Sequence, residues 1–118
     1  MSQKVACVAV ILRTPQGQIL LQQRDDKSTT PFAGYWTLPG GRVEQGEEPD
    51  AAIKREIMEE IELDVFLRLW KVYERPGPEM ITVVQYIYTG RIDRSISSLV
   101  LNEGQALRYV EANLASFR

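Results

Sequence analysis

The sequence has no histidine. That removes the commonest zinc ligand and the commonest general base near neutral pH, so any acid–base or metal chemistry must fall to carboxylates. Cysteine is almost as scarce. Cys7 stands alone in an apolar run, which excludes a disulfide framework or a thiolate metal cluster within one chain and suits a reducing cytoplasm. Neither sign of charge dominates: 14 Lys and Arg against 16 Asp and Glu leave a formal net charge of -2, too little for general attraction to a nucleic-acid polymer or an anionic membrane. Any anionic ligand must therefore be won locally. The opening MSQKVACVAVILRT is too short an apolar stretch to span a bilayer and lacks the three-part layout of a signal peptide. Repeats, low-complexity tracts and linkers are missing too, and 118 residues suit one domain, so residues 1–118 are expected to form a single unit.

What is present alternates between strand and helix signals. Val5 to Leu12 is apolar and β-branched, TPQG supplies turn chemistry, and QILLQQR follows as a second extended run. DDKSTTPFAGYW mixes turn formers with aromatics and is expected to be an exposed loop, and TLPGG is expected to break any regular element. From Pro49 to about Ile61 the pattern is helical: Pro49 suits the first turn, and Ile53, Ile57 and Ile61 recur along one stripe. FLRLWKVYE and MITVVQYIYTGRI read as strands of an antiparallel hairpin joined through RPGPE; ALRYV adds a short strand and EANLASF a final helical turn. Strands on both sides of a central helix imply an α/β domain with a mixed sheet.

The helix carries an unusual density of acid. With about 100° between successive residues, Glu56, Glu59 and Glu60 share an arc of roughly 100° beside the isoleucine stripe. Like charges at these spacings destabilise a helix by a few tenths of a kcal/mol per pair, so something outside the helix should offset the repulsion. A cluster of hard oxygen donors suggests Mg²⁺ or Mn²⁺, ions that keep waters and recruit phosphates as further ligands. A solvated acidic face, with Asp50 and Lys54 as an ordinary i,i+4 pair, is the plain alternative.

The flanking residues weigh against that alternative. Gly41 is followed after five residues by Glu47, and after seven more by Arg55-Glu56, Ile57, one free position, Glu59-Glu60, another free position, Glu62 and Leu63. This resembles the signature of the Nudix hydrolases, whose glycine before the last aliphatic residue is replaced here by Glu62. ILLQQR, the aromatic loop, LPGG and NEGQALRYV resemble the MutT-like branch of that family, so the likeness covers nearly the whole chain.

The resemblance implies an α/β/α sandwich around a mixed sheet and an enzyme that hydrolyses nucleoside diphosphate derivatives with Mg²⁺ or Mn²⁺. By motif position, Glu56, Glu59 and Glu60 are the expected metal ligands, with the Gly41 carbonyl as a further one. Arg55 would orient and partly neutralise the cluster, pairing with Glu47, and a simple surface ion pair is its alternative. Glu103 in NEGQ would serve as metal ligand or base, with Glu79 in RPGPEM as the fallback. Arg24 occupies the place of a phosphate-contacting arginine, or is only an edge-strand charge. Phe32, Tyr35 and Trp36 lie near where a base would sit, although Trp36 suits core packing better. Tyr86 and Tyr88 share a strand face and either line the pocket or fill the core.

The expected partner is a nucleotide, most simply a (deoxy)nucleoside triphosphate cut to monophosphate and pyrophosphate. A second copy of the chain is a candidate partner as well, through apolar surface left by a short C-terminal end. MutT-like proteins that select oxidised guanine use residues beyond the point matching Arg118, so 8-oxoguanine selectivity is not implied. A Nudix-fold binding or regulatory domain would be expected to lack some of these glutamates. A hydrolase of nucleotide sugars or other nucleoside diphosphate derivatives stays open, whereas the isopentenyl diphosphate isomerase class needs histidine and is excluded. A non-glycine residue at Glu62 should cost on the order of 1 kcal/mol or force a different helix exit.

Overall fold

β1 (Lys4–Arg13) is the spine of a seven-stranded mixed sheet, seen here in a computed structural model that describes residues 3–24 and 34–112. It is followed by β2 (Gln18–Gln23), β3 (Trp36–Thr37), β4 (Gly40–Arg42), α1 (Pro49–Ile61), β5 (Leu67–Pro76), β6 (Thr82–Arg91) and β7 (Ala106–Glu111). β1 runs parallel to β6 over its whole length, from Lys4 opposite Thr82 to Arg13 opposite Arg91. Its other edge is shared: β4 pairs there at Cys7 to Ala9, and β2 touches it only where Arg13 meets Ile19. β2 then diverges to pair with β3 and β7.

Alternation along β1 sends Val8, Val10 and Leu12 to one face, where all three are buried. α1 lies on that face because its stripe of Ala52, Ile53, Ile57 and Ile61 needs the same shelter. Each large aliphatic side chain buried there contributes roughly 1.5 to 3 kcal/mol. Pro49 opens the helix with its fixed φ, and the helix ends at Glu62, which takes left-handed angles of φ 53 and ψ 43 while its N–H returns to the Met58 carbonyl. The exit is therefore the one glycine would make. No helix among the described residues is long and apolar enough to cross a membrane.

The α/β class, the central helix and the β5–β6 hairpin match the expectation, with four local corrections. TLPGG does not break all regular structure: Thr37 ends β3 and both glycines belong to β4. They are admitted because β4 presses so closely on β1 that a Cβ on Gly40 would stand 2.1 Å from the Val8 carbonyl oxygen. β5 continues through Arg75 and Pro76 to pair with Thr82, leaving a shorter turn over Pro78–Met80; proline is tolerated because β5 is an edge strand. β7 extends to Glu111 opposite Gln18, so that residue is extended, and the rest of the expected final helical turn lies, from residue 113, outside the described residues. Trp36 is only half-buried and stands apart from the core, lining a cavity of about 430 Å³ with Ile11, Ile19 and Leu38, its ring 4.7 Å from the Arg108 guanidinium. Phe32 and most of the expected aromatic loop, residues 25–33, also lie outside the described residues.

Candidate metal centre

α1 crosses β4 so that its acidic side chains lie over the glycine pair. A Cβ on Gly41 would fall 2.5 Å from the Glu56 carboxylate, so a side chain there would push that carboxylate from its present place. The neighbouring Gly40 N–H hydrogen-bonds the Glu60 carboxylate. Glu60 is 4% exposed, and its Oε2 has no hydrogen-bond partner among the described residues. Burial first, and then the Glu56 charge and carboxyl beside it, push its pKa up to about 9, with a further contribution from the charge of Glu103. Burial also raises Glu56, against the opposing pull of Arg55. A buried carboxyl and a partly buried one this close do not readily both stay ionised without a proton or a cation between them.

Arg55 governs the outer side of the cluster. Its Nε and Nη2 donate to Glu47 at 2.7 and 2.9 Å, a bidentate pair, while Nη1 donates to Glu56 at 3.0 Å and to Glu59 at 3.3 Å. Nη2 also reaches the Arg42 carbonyl at 3.1 Å, and Glu44 lies 3.6 Å from Nη1. Held by these Arg55 hydrogen bonds and by the Glu44 N–H, Glu47 is pulled down to about 2, and Arg55 in turn is raised above its ordinary value. The pairing expected between Arg55 and Glu47 is thus present, and it is much more than a lone surface contact.

The expected trio of carboxylates divides. Glu60, buried, and Glu56, partly buried, form the inner pair, whereas the Glu59 side chain is 50% exposed and turned toward Arg55. Among the described residues no three His, Cys, Asp or Glu side chains gather closely enough to hold a metal alone. The donor set nevertheless suits a hard divalent cation: an orphaned buried carboxylate oxygen, a second carboxylate beside it, and a backbone stripped of side chains underneath. Such an ion would complete its shell with water and substrate oxygens, as Mg²⁺ characteristically does.

Glu103 comes to this cluster from the loop before β7. The preceding residue, Asn102, donates its N–H to the Glu60 carbonyl at 2.8 Å. Glu79 does not come near: it sits in the β5–β6 turn past the start of β1, where Thr82 bonds Gln3, while Gly41 pairs with Val8 in mid-strand. Arg24 follows β2 directly; its N–H donates to the Tyr35 carbonyl at 2.9 Å and its carbonyl accepts from the Gly34 N–H at 3.2 Å. Tyr35 is 63% exposed. Tyr86 and Tyr88 do share a face, lining a cavity of about 560 Å³ with Leu69 and Asp50 at the start of α1; the Tyr88 hydroxyl donates to Asp50. The residue that sequence reasoning missed is Gln22, buried beside the loop and donating from Nε2 to the Glu103 carbonyl at 2.7 Å. Its alternation with Leu20 marked it as inward-facing, but nothing local named its partner.

Comparison with known proteins agrees with this geometry. A family model described as NUDIX domain matches residues 3–116. The 8-oxo-dGTP diphosphatase of Haemophilus influenzae is 37% identical over 112 residues, covering 94% of this chain and 79% of that protein. The RNA pyrophosphohydrolase of Roseobacter denitrificans is 43% identical over 54 residues, which span 46% of this chain and only 31% of that protein. In fold, the chain is similar to the MutT protein of Methanosarcina mazei, with a TM-score of 0.80 at 24% identity over 93% of this chain and 78% of that one. With nearly the whole chain matched and its own acidic cluster in the motif's place, the chain belongs to the NUDIX domain family of hydrolases, on its MutT-like branch.

Proposed function

We propose that residues 1–118 act as one catalytic domain that hydrolyses a phosphoanhydride in a nucleoside diphosphate derivative, using Mg²⁺ or Mn²⁺. The specific reaction proposed is a (deoxy)nucleoside triphosphate plus water giving the monophosphate and pyrophosphate. Water's oxygen bonds to one phosphorus of the α–β anhydride as the bond from that phosphorus to the bridging oxygen breaks, and the bridging oxygen leaves with the other phosphate. The observation that carries this reading is the Glu56–Glu60 pair, in which the buried Glu60 Oε2 has no partner among the described residues, an arrangement that is costly unless a cation or proton completes it.

In this reading Glu56 and Glu60 hold the cation, with Glu59, the Gly41 carbonyl and Glu103 as further ligands. When bound, the cation neutralises phosphate oxygens and polarises the attacking water. Arg55 keeps Glu56 and Glu59 oriented and makes no hydrogen bond to Glu60 among the described residues. Glu103, exposed at the mouth, accepts the proton that the attacking water gives up. Arg24 meets a phosphate, and Tyr35 and Tyr86 contact the rest of the nucleotide; the exposure of Tyr35 supports this for a base. The sole cysteine supports a cytoplasmic setting. The exposed Trp70, Val72 and Tyr73 of edge strand β5 support a second copy of the chain as partner.

The test is a panel of nucleoside triphosphates, nucleotide sugars and other nucleoside diphosphate derivatives with Mg²⁺, with products resolved to show which bond is cut. Cleavage of triphosphates to monophosphate and pyrophosphate is the expected outcome. If nothing is cleaved with either cation, the reading is wrong.

A further inference from the structure

Asn102 grips the exit of α1 at two points. Its N–H donates to the Glu60 carbonyl and its Nδ2 donates to Oε2 of Glu62, each at 2.8 Å. The other side of the same loop is fixed to β2: Gln22 Nε2 donates to the Glu103 carbonyl at 2.7 Å, and the Gln105 N–H to the Gln23 carbonyl at 2.9 Å. Glu103 stands between these anchors, near enough for its charge to be felt at Glu60.

Glu62 is also where the chain leaves the family signature. It holds a left-handed backbone, φ 53, that disfavours any residue with a Cβ, and a glycine there would have no carboxylate to offer Asn102. We propose that Glu62 is a positioning residue: through Asn102 it fixes the loop that carries Glu103 beside Glu56 and the buried Glu60. The replacement of glycine then serves the site, at the expense of local backbone comfort. This rests on the role given above to Glu103. A hydrogen bond at the surface adds little to stability, but a catalytic group displaced by about 1 Å can lose up to about 100-fold in rate.

Three variants test it: Glu62→Gly, Glu62→Gln and Glu103→Gln, the first and third also combined. Glu62→Gly removes the clamp and supplies the residue that a left-handed exit prefers. Its thermal midpoint should therefore hold or rise, while amide exchange at Asn102 and Gln105 quickens and kcat falls about tenfold with KM little changed. Glu62→Gln keeps an acceptor for Asn102 and should restore slow exchange and most of the turnover. In the Glu103→Gln background, Glu62→Gly should cost nothing further. Exchange and kcat of Glu62→Gly equal to wild type would overturn the inference, as would an undiminished loss in the Glu103→Gln background. Normal turnover by Glu103→Gln overturns the role of Glu103 itself, and it differs from the first failure in which single variant is silent.

Discussion

Glu47 and Glu60 are the same residue type on either side of one arginine-centred network, yet their protons behave in opposite ways. Glu47, partly buried but forked by the Arg55 guanidinium, is drawn down to about 2, and Glu60, shut in by the isoleucine stripe and facing Glu56, is pushed up to about 9. One carboxylate is complete without a partner from outside the chain; the other is not. The contrast shows that the acid density of this motif is two devices: an outer ion-pair frame that reaches as far as Glu56 and sets geometry, and an inner Glu60 kept short of positive charge.

The strongest way to break the contrast is to neutralise the inner pair. Glu60→Gln should reduce turnover with Mg²⁺ by roughly 10³-fold, measured as kcat on whichever nucleotide the panel identifies, while the metal-free urea midpoint does not fall. Loss of activity together with unfolding would instead make Glu60 a structural residue. The pH dependence should come next in size. Because the folded Glu60 holds its proton to about 9 and the unfolded one releases it near 4.5, metal-free stability should decline as pH rises through that window. Glu47 acts with the other sign, supporting the fold at neutral pH and withdrawing as pH falls from 4.5 toward 2. Urea titrations across pH read both limbs. Added Mg²⁺ should abolish the alkaline decline, and an unchanged slope with saturating cation would argue against binding at Glu60.

The outer frame offers gentler perturbations. Arg55→Lys keeps the charge but loses the bidentate fork to Glu47, and should lower kcat about tenfold, with no such loss from Lys54→Arg on the same helix. Smallest is Tyr88→Phe, which deletes the hydroxyl bonded to Asp50 at the far end of α1. Chemical denaturation should register about 1 kcal/mol or less, and kcat should stay put if the frame ends at Arg55.

Much of this was readable along the chain because it depends on short-range periodicity. Ile53, Ile57 and Ile61 fixed the buried stripe of α1, and the same spacing placed Glu56 and Glu60 beside it. What the helical arc could not tell is that Glu59 turns outward. That choice depends on Arg55, whose guanidinium reaches Glu59 only while also anchored to Glu47 and the Arg42 carbonyl. Glu79 and Glu103 looked alike as acidic loop residues; the parallel pairing of β1 with β6 carries the first past the end of β1, and Asn102 and Gln22 bring the second to the cluster. Trp36 was misjudged because its apolar bulk suggests core packing, whereas β2 diverges from β1 after Ile19 and leaves Trp36 lining a cavity.

By itself, then, the sequence determined the order of the helix and the five longer strands, the restriction of any acid–base or metal chemistry to carboxylates in the absence of histidine, and the carboxylates available for it. These follow from residue type and from periods of two and 3.6. Only the tertiary structure decided which carboxylates are brought together and which loop glutamate joins them. It also turned Glu62, a departure from glycine, into an anchor for Asn102. Those outcomes depend on contacts between residues far apart in the chain and on the loss of water around Glu60, and neither is encoded in the spacing of neighbours.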